Sequence, residues 1–418
     1  MNDKKNILVY ADWEGITGTV PMGNLVAIRV KGKETFSFEY TKDWLQSGFS
    51  LTIDPDLQYY SGRYFPRDEK LNFGAFLDSC PDRWGRVLMD RREAALAKAE
   101  KRKPENLFES DYLLGVFDLH RMGALRFKLS VDGEFLNYDK KMSVSPWSAL
   151  RELEHACKMF EEDNLSDKEQ LKCINLLLAP GASLGGARPK ASVLDSSNNL
   201  WIAKFPSIND VKNVGAWEYV AFCLAKKCGL NIAKGEIKKF NNKYHTFLTK
   251  RFDRIRKRQR IHFASAMTML GRVDGADHNS SVSYLEIAEF LMRNGADTDN
   301  DLEELWRRIV FNIAIKNTDD HLRNHGFLLA EKGWRLSPAF DINPNEFGTG
   351  LSLNISETDN ALDFDLAISM AEYFRVSKFK ANKIINQIKK IVPEWRKVAQ
   401  VAGISKAEAD RMSTAFEY

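Results

Sequence analysis

The stretch NTDDHLRNHGFLL, Asn317 to Leu329, sets two aspartates, an arginine, two histidines and two asparagines between apolar runs. Upstream, LWRRIVFNIAI predicts a buried helix with Leu305, Ile309 and Ile313 on one face. Downstream, GFLL and WRLSPAFD predict two short strands. A dense polar set therefore stands at a helix-to-strand junction with apolar flanks, where each group costs free energy unless something pairs with it.

Working outward, Asp319 and Asn324 have the spacing D-x-x-x-x-N. That is the spacing of a protein-kinase catalytic loop, in which the Asp accepts the substrate hydroxyl proton and the Asn holds magnesium. Asp341, in PAFDIN, follows the short strands at the place where a second metal-binding carboxylate is expected. An amide and a carboxylate oxygen suit a hard cation such as magnesium. The bland alternative for Asp319 alone is a helix cap or turn residue; the three residues together favour phosphoryl transfer because each fills a distinct role. His321 and His325 have no Cys or His partner at a metal-like spacing and read as loop-ordering hydrogen-bond groups, with His321 a further candidate for a nucleotide phosphate.

Lys204, in LWIAKFP, alternates with Leu200 and Ile202 and is expected to share their inward face. A lysine there needs an anion, either Glu218 in the next helix or the phosphates of ATP. GASLGGARPK, Gly181 to Lys190, supplies glycines whose backbone N–H groups can approach phosphate, though it is not a Walker A sequence. The basic run RIRKRQR, Arg254 to Arg260, lacks interleaved aromatics and reads as a solvated loop rather than a nucleic-acid patch.

The chain has 418 residues, 44% of them hydrophobic, enough for one large or two to three ordinary domains. Its net charge of +4 does not by itself imply nucleic acid. Five scattered cysteines have neither zinc-finger nor thioredoxin-like spacing and are expected as reduced, mostly buried thiols. No apolar run reaches the length of a membrane span and the first residues lack a signal-peptide core, so a soluble, cytoplasmic protein is expected. The layout reads as β-rich, then α+β, then mostly α. Helices are predicted from Pro146 to Phe160 with Ser145 as N-cap, from Lys168 to Leu178 and from Asn213 to Cys228, with breaks in the tail at Val376-Ser377, Pro393 and Gly403.

Five stretches, SLGGARPKA, WIAKFP, TKRFDR, NTDDHLRNHGFLL and LSPAFDINP, occur in the order seen in HipA-type serine/threonine kinases, the toxin half of bacterial toxin–antitoxin pairs. FLDSCPDRWGRVLMDRRE and RMGALRF resemble that family's leading domain, so the resemblance covers most of the chain. It implies an α+β fold: a protein-kinase-like, two-lobed core with an N-terminal β-rich domain packed on the small lobe. The implied domains are 1–147 for the leading domain, 148–253 for the small lobe and 254–418 for the helical large lobe with the catalytic loop.

By that resemblance Asp319 is the catalytic base, Asn324 and Asp341 are the magnesium ligands, and Lys204 is the phosphate-binding lysine. Gly185, Gly186, Ala187, Arg188, Pro189 and Lys190 form the glycine-rich ATP loop, and Lys250, Arg251 and Phe252 fall where the hinge meets adenine. Position 250 is a lysine where relatives can carry an acid, which leaves backbone rather than side-chain contacts there. Ser183 matches the serine that family members autophosphorylate, a modification expected to repel nucleotide and switch the enzyme off. ATP and Mg2+ are implied as substrate and cofactor. The implied partners are a protein substrate, possible in the translation machinery, and a small helix-turn-helix antitoxin through which DNA is met. The rival readings are a catalytically weak co-repressor and a small-molecule kinase on the same core.

Overall fold

Alternation of apolar residues builds the first sheet. The computed structural model describes residues 3–136, 145–162, 165–181, 186–255 and 259–418. It divides into two compact units, Met1–Asn209 with Asp253–Ala264, and Asp210–Phe252 with Ser265–Tyr418. In the first unit five antiparallel strands run in the order Arg63–Tyr64, Lys33–Tyr40, Val20–Val30, Asp3–Ala11, Leu125–Lys128. Ile7 lies opposite Leu25, Leu25 opposite Phe38 and Val9 opposite Phe127, so one face of the sheet is an apolar layer. A side chain at Gly23 would fall 2.3 Å from the Phe38 ring, which is why the strand carries a glycine there.

The helix Arg83–Ala99 begins at Asp82, whose side chain accepts the Arg83 N–H. It packs on the helix Asp167–Gly181, which also contacts the helix Leu150–Glu162. The leading β-rich domain is thus joined within this unit to the hairpin Lys190–Leu194 and Leu200–Lys204. That hairpin turns through Asp195, which accepts from the Ser197 and Asn199 N–H groups and from the Trp201 indole, with Asn198 left-handed at φ +61°.

Two expectations for this unit need correction. Ser145 and Pro146 do not open a helix; they are extended and pair in parallel with Val193 and Leu194, and the α-helix starts at Leu150 after a short 3-10 turn. Nor is the basic run a solvated loop at its ends. Arg254 donates to Asp253 Oδ2 at 2.6 Å and to the carbonyls of Arg121 and Gly123, and Arg260 donates to the carbonyl of Asp118 at 2.6 Å and to its carboxylate at 3.1 Å. Both guanidinium groups are buried. Burial pushes the Asp118 carboxyl up, but Arg260 and Arg126 outweigh it and hold the group below its ordinary range. Residues 256–258 of the run lie outside the described residues.

In the second unit the helix Val214–Lys227 is capped by Asn213, whose side chain accepts the Ala216 N–H. The strands Gly235–Lys238 and Thr246–Lys250 pair antiparallel. The helix Thr298–Ile315 buries Leu305, Trp306, Ile309, Val310, Phe311 and Ile313, so its second half is covered all round rather than on one face. It leads to the hairpin Gly326–Ala330 and Gly333–Leu336, the two strands expected from the sequence. The tail breaks where expected: Ser377 caps the helix Lys378–Ile391, Pro393 lies in a 3-10 turn, and Gly403 is left-handed between the last two helices.

All five cysteines are free, and Cys80, Cys157 and Cys228 are buried. Burial pushes the Cys80 thiol up to about 12, which leaves it no nucleophilic role at neutral pH. Among the described residues no helix is long and apolar enough to cross a membrane.

Candidate active site

The helix Thr298–Ile315 stops because Lys316 turns left-handed, φ +48°, and donates its N–H back to Asn312 and Ile313. Asn317, fully buried, locks the exit: its amide donates to Asn312 Oδ1 at 3.0 Å and its Oδ1 accepts the Asn343 N–H at 3.2 Å. Thr318 follows, receiving Asn345 Nδ2 on its hydroxyl and Ser352 Oγ on its carbonyl, each at 2.8 Å. Gly348 must be a glycine here, since a Cβ would lie 2.4 Å from the Thr318 methyl. These contacts tie the residues before Asp319 to the segment after Asp341.

The two adjacent aspartates then part. Asp319 is exposed, whereas Asp320 is buried. Asp320 Oδ2 receives Asn312 Nδ2 at 2.6 Å and the Tyr284 hydroxyl at 2.8 Å, and lies 2.8 Å from His325 Nε2. Burial, with the Asp320 carboxylate beside it, pushes the Tyr284 phenol well above its ordinary range, so it remains a donor. His325 is therefore the loop-ordering group expected. Asp320, Tyr284 and Asn312 were missed: nothing in the sequence says which of two neighbouring aspartates turns inward.

The loop closes on Asp319 itself. Asn324 Nδ2 donates to the Asp319 carbonyl at 2.8 Å, the His321 N–H donates to the same oxygen at 3.0 Å, and the Asn324 N–H donates to the His321 carbonyl. The amide nitrogen of Asn324 is thereby engaged and its Oδ1 is the atom left to face a cation. His321 is half-buried, and its Nδ1 has no hydrogen-bond partner among the described residues.

Asp341 stands at the end of a braced segment. The Ala339 N–H donates to the Asn231 carbonyl, Arg308 holds the Ser337 carbonyl, and Asn343 is bound to Asn317. Asp341 is left-handed, φ +57°, a conformation uncommon outside glycine that is found more often for Asp and Asn. Phe340 packs on Phe252 with ring centroids 5.5 Å apart, so the Lys250–Phe252 stretch is brought beside this segment. The Lys250 N–H donates to the Lys234 carbonyl, and Arg251 is buried. Among the described residues no group of three or more His, Cys, Asp or Glu side chains could hold a metal ion. Asn324 Oδ1 and the Asp341 carboxylate have the oxygen chemistry that magnesium takes when water and phosphate complete its shell.

In the first unit, Lys190 and Lys204 are register partners across the hairpin. Lys190 is buried and its Nζ lies 2.7 Å from where a Cβ on Gly186 would be; Gly186 is left-handed at φ +85°, so the backbone favours glycine there. Ala187 is exposed, Arg188 half-buried, and the Pro189 carbonyl accepts the Phe205 N–H. Lys204 is half-buried with Ile202, while Trp201 and Ala203 form the more covered side, so the inward face expected for Lys204 is only partly covered. Ser183 and Gly185 lie outside the described residues.

Residues 182–395, just over half of the chain, match the family described as HipA-like C-terminal domain. A Haemophilus influenzae protein provisionally designated a kinase is 29% identical over 183 residues, covering 38% of this chain and 52% of its own length. The chain thus spans about half the length of the curated relative it matches. A solved complex from Shewanella oneidensis MR-1, described as its toxin–antitoxin system HipA and HipB with operator DNA, is similar at a TM-score of 0.63 and 18% identity, over 95% of this chain and 93% of that one. At that identity the likeness is one of fold.

Proposed function

The chain belongs to the HipA family, and from that premise we propose that it is an ATP- and magnesium-dependent protein serine/threonine kinase. The observation that carries the reading is the closed loop Asp319–Asn324, with an exposed carboxylate at one end and an amide oxygen at the other. In the proposed reaction the substrate hydroxyl oxygen bonds to the γ-phosphorus of ATP while the bond to the β-phosphate oxygen breaks. Asp319 accepts the hydroxyl proton, and ADP leaves with that bridging oxygen. Lys204 and Lys190 offset phosphate charge, the backbone at Gly186 admits close approach, and Lys250 to Phe252 receive the adenine through main-chain groups. Magnesium, held by Asn324 and Asp341, would neutralise charge developing on the phosphate oxygens.

The solved HipA neighbour is described with HipB and operator DNA. By analogy we extend the proposal to a small antitoxin partner here, with DNA met through it; the modest net charge of +4 agrees with that division. Ser183 is the proposed site of autophosphorylation. The test is radiolabelled ATP and magnesium with whole-cell lysate. A labelled protein band, together with phosphate at Ser183 by mass spectrometry, supports the reading. A labelled small molecule or no transfer at all contradicts it, the first in favour of a small-molecule kinase and the second in favour of a non-catalytic co-repressor.

A further inference from the structure

The leading domain reaches into the nucleotide segment at one corner. Asp82 uses its two carboxylate oxygens differently: Oδ1 accepts the Arg83 N–H at 2.8 Å, capping the helix Arg83–Ala99, and Oδ2 accepts the Gly186 N–H at 2.5 Å. The Trp84 N–H returns a bond to the Gly186 carbonyl at 3.1 Å. The Trp84 indole donates to the Lys190 carbonyl, also at 3.1 Å. Both polar groups of Gly186 and the carbonyl of Lys190 are thus held by two residues that lie about a hundred positions earlier in the chain.

Trp84 is itself fixed. It is buried, its ring stands edge-on to Phe160 at 5.5 Å, and Gly181 approaches so closely that a Cβ would lie 3.1 Å from the indole nitrogen and 3.0 Å from the Lys190 carbonyl. The indole therefore meets the chain on both flanks of the glycine-rich stretch, at Gly181 and at Lys190. A left-handed glycine under a buried ammonium is a geometry with many competing conformers. Something outside the hairpin must select one of them, and the Asp82–Trp84 corner makes the bonds that do so.

The geometry points to Asp82 and Trp84 as positioning residues for nucleotide binding: they clasp Gly186 and Lys190 in the conformation that receives the phosphates. This inference rests on the reading of Gly186–Lys190 as the ATP loop and adds to it what sets that loop's shape. Neither residue touches nucleotide in this account, so their loss acts on affinity rather than on the transfer step. The carboxylate also takes the Gly186 N–H, so phosphate must be met by other groups, Lys190 and Lys204 foremost.

Asp82→Ser separates the clasp from the helix cap. Serine caps a helix about as well as aspartate, but its single short hydroxyl cannot also accept from Gly186. ATP affinity by calorimetry should fall roughly tenfold, the scale of one charge-assisted hydrogen bond, while the melting temperature stays near wild type. KM for ATP should rise and kcat hold. Asp82→Asn, whose one carbonyl oxygen can serve either bond but not both, should fall between. Trp84→Phe keeps the ring packing and loses only the indole donor, and should weaken ATP binding several-fold. Hydrogen exchange at Gly186–Lys190 in the nucleotide-free protein should speed up in Asp82→Ser, a readout that needs no kinase activity. Unchanged exchange overturns the clasp. Faster exchange with unchanged or tighter ATP binding overturns its role in nucleotide binding, the tighter case marking Asp82 as a competitor of phosphate. Wild-type protein that binds no nucleotide removes the premise and overturns the inference with it, and the exchange result distinguishes that failure from failure of the clasp.

Discussion

The side-chain amide of Asn324 donates to the backbone carbonyl of Asp319 across 2.8 Å, so the two residues at the ends of D-x-x-x-x-N are locked to each other. One side chain would then do two jobs: its nitrogen fixes the position of the proposed base, and its oxygen is the proposed ligand of magnesium. Asn324→Asp keeps an oxygen ligand but sets a carboxylate against the Asp319 carbonyl. Transfer should fall by about tenfold or more, the cost of turning a hydrogen bond into a repulsion, while magnesium still supports the residual rate. Wild-type rates over a magnesium titration would show that the nitrogen has no such part.

Asp320 should matter for stability rather than chemistry. It is buried and gathers Asn312, Tyr284 and His325 on one oxygen. Asp320→Ala strands three polar groups, and unfolding in denaturant should show a loss of roughly 3 kcal/mol or more. Tyr284→Phe removes one of the three bonds and should cost about 1–2 kcal/mol. A loss below ~1 kcal/mol in Asp320→Ala would mean that the network re-forms on water.

Acid stability carries a second signature. His262 stacks on Trp13 with centroids 5.2 Å apart, and burial pushes its imidazole down to about 3. The unfolded chain takes up that proton as pH falls through 6.5 and the folded chain does not until about 3, so stability is lost on acidification across that window. Asp54 acts in the opposite sense: burial pushes it up to about 6, so the folded state gains relative stability as pH drops from about 6 towards 4. His262→Phe keeps the ring stack and should flatten the difference curve against wild type between pH 6.5 and 3. Parallel curves for the two proteins would contradict the burial of a neutral imidazole.

Much of the second unit was legible because its signals are local. The capping side chain of Asn213, the break at Ser377 and the hairpin after Asn324 depend on residues within a few positions of one another. The Asp319–Asn324 spacing carried into geometry for the same reason. What stayed hidden depends on distant partners. Arg260 reads as a solvated charge until Asp118, 142 positions earlier, is placed against it. The bond from Gly186 to Asp82 has no local signal, because the two residues lie 104 positions apart. Asp319 and Asp320 carry the same chemistry in sequence, and the choice of which one turns inward goes with Asn312 and His325 nearby and with Tyr284, 36 positions away. Ser145-Pro146 failed differently: proline is favoured in a first helical turn, but strand pairing with Leu194 outweighed that local preference.

The measurement that bears most directly on the central claim compares Asp319→Asn with wild type in phosphoryl transfer and in ATP affinity. The amide is nearly isosteric with the carboxylate and cannot accept the hydroxyl proton at neutral pH. Transfer should fall by roughly 10²–10⁴-fold, the usual scale for a general base, with ATP affinity by calorimetry unchanged. A variant that turns over within a few fold of wild type, or that loses ATP binding in proportion to its rate, would contradict the assignment of Asp319 as the base.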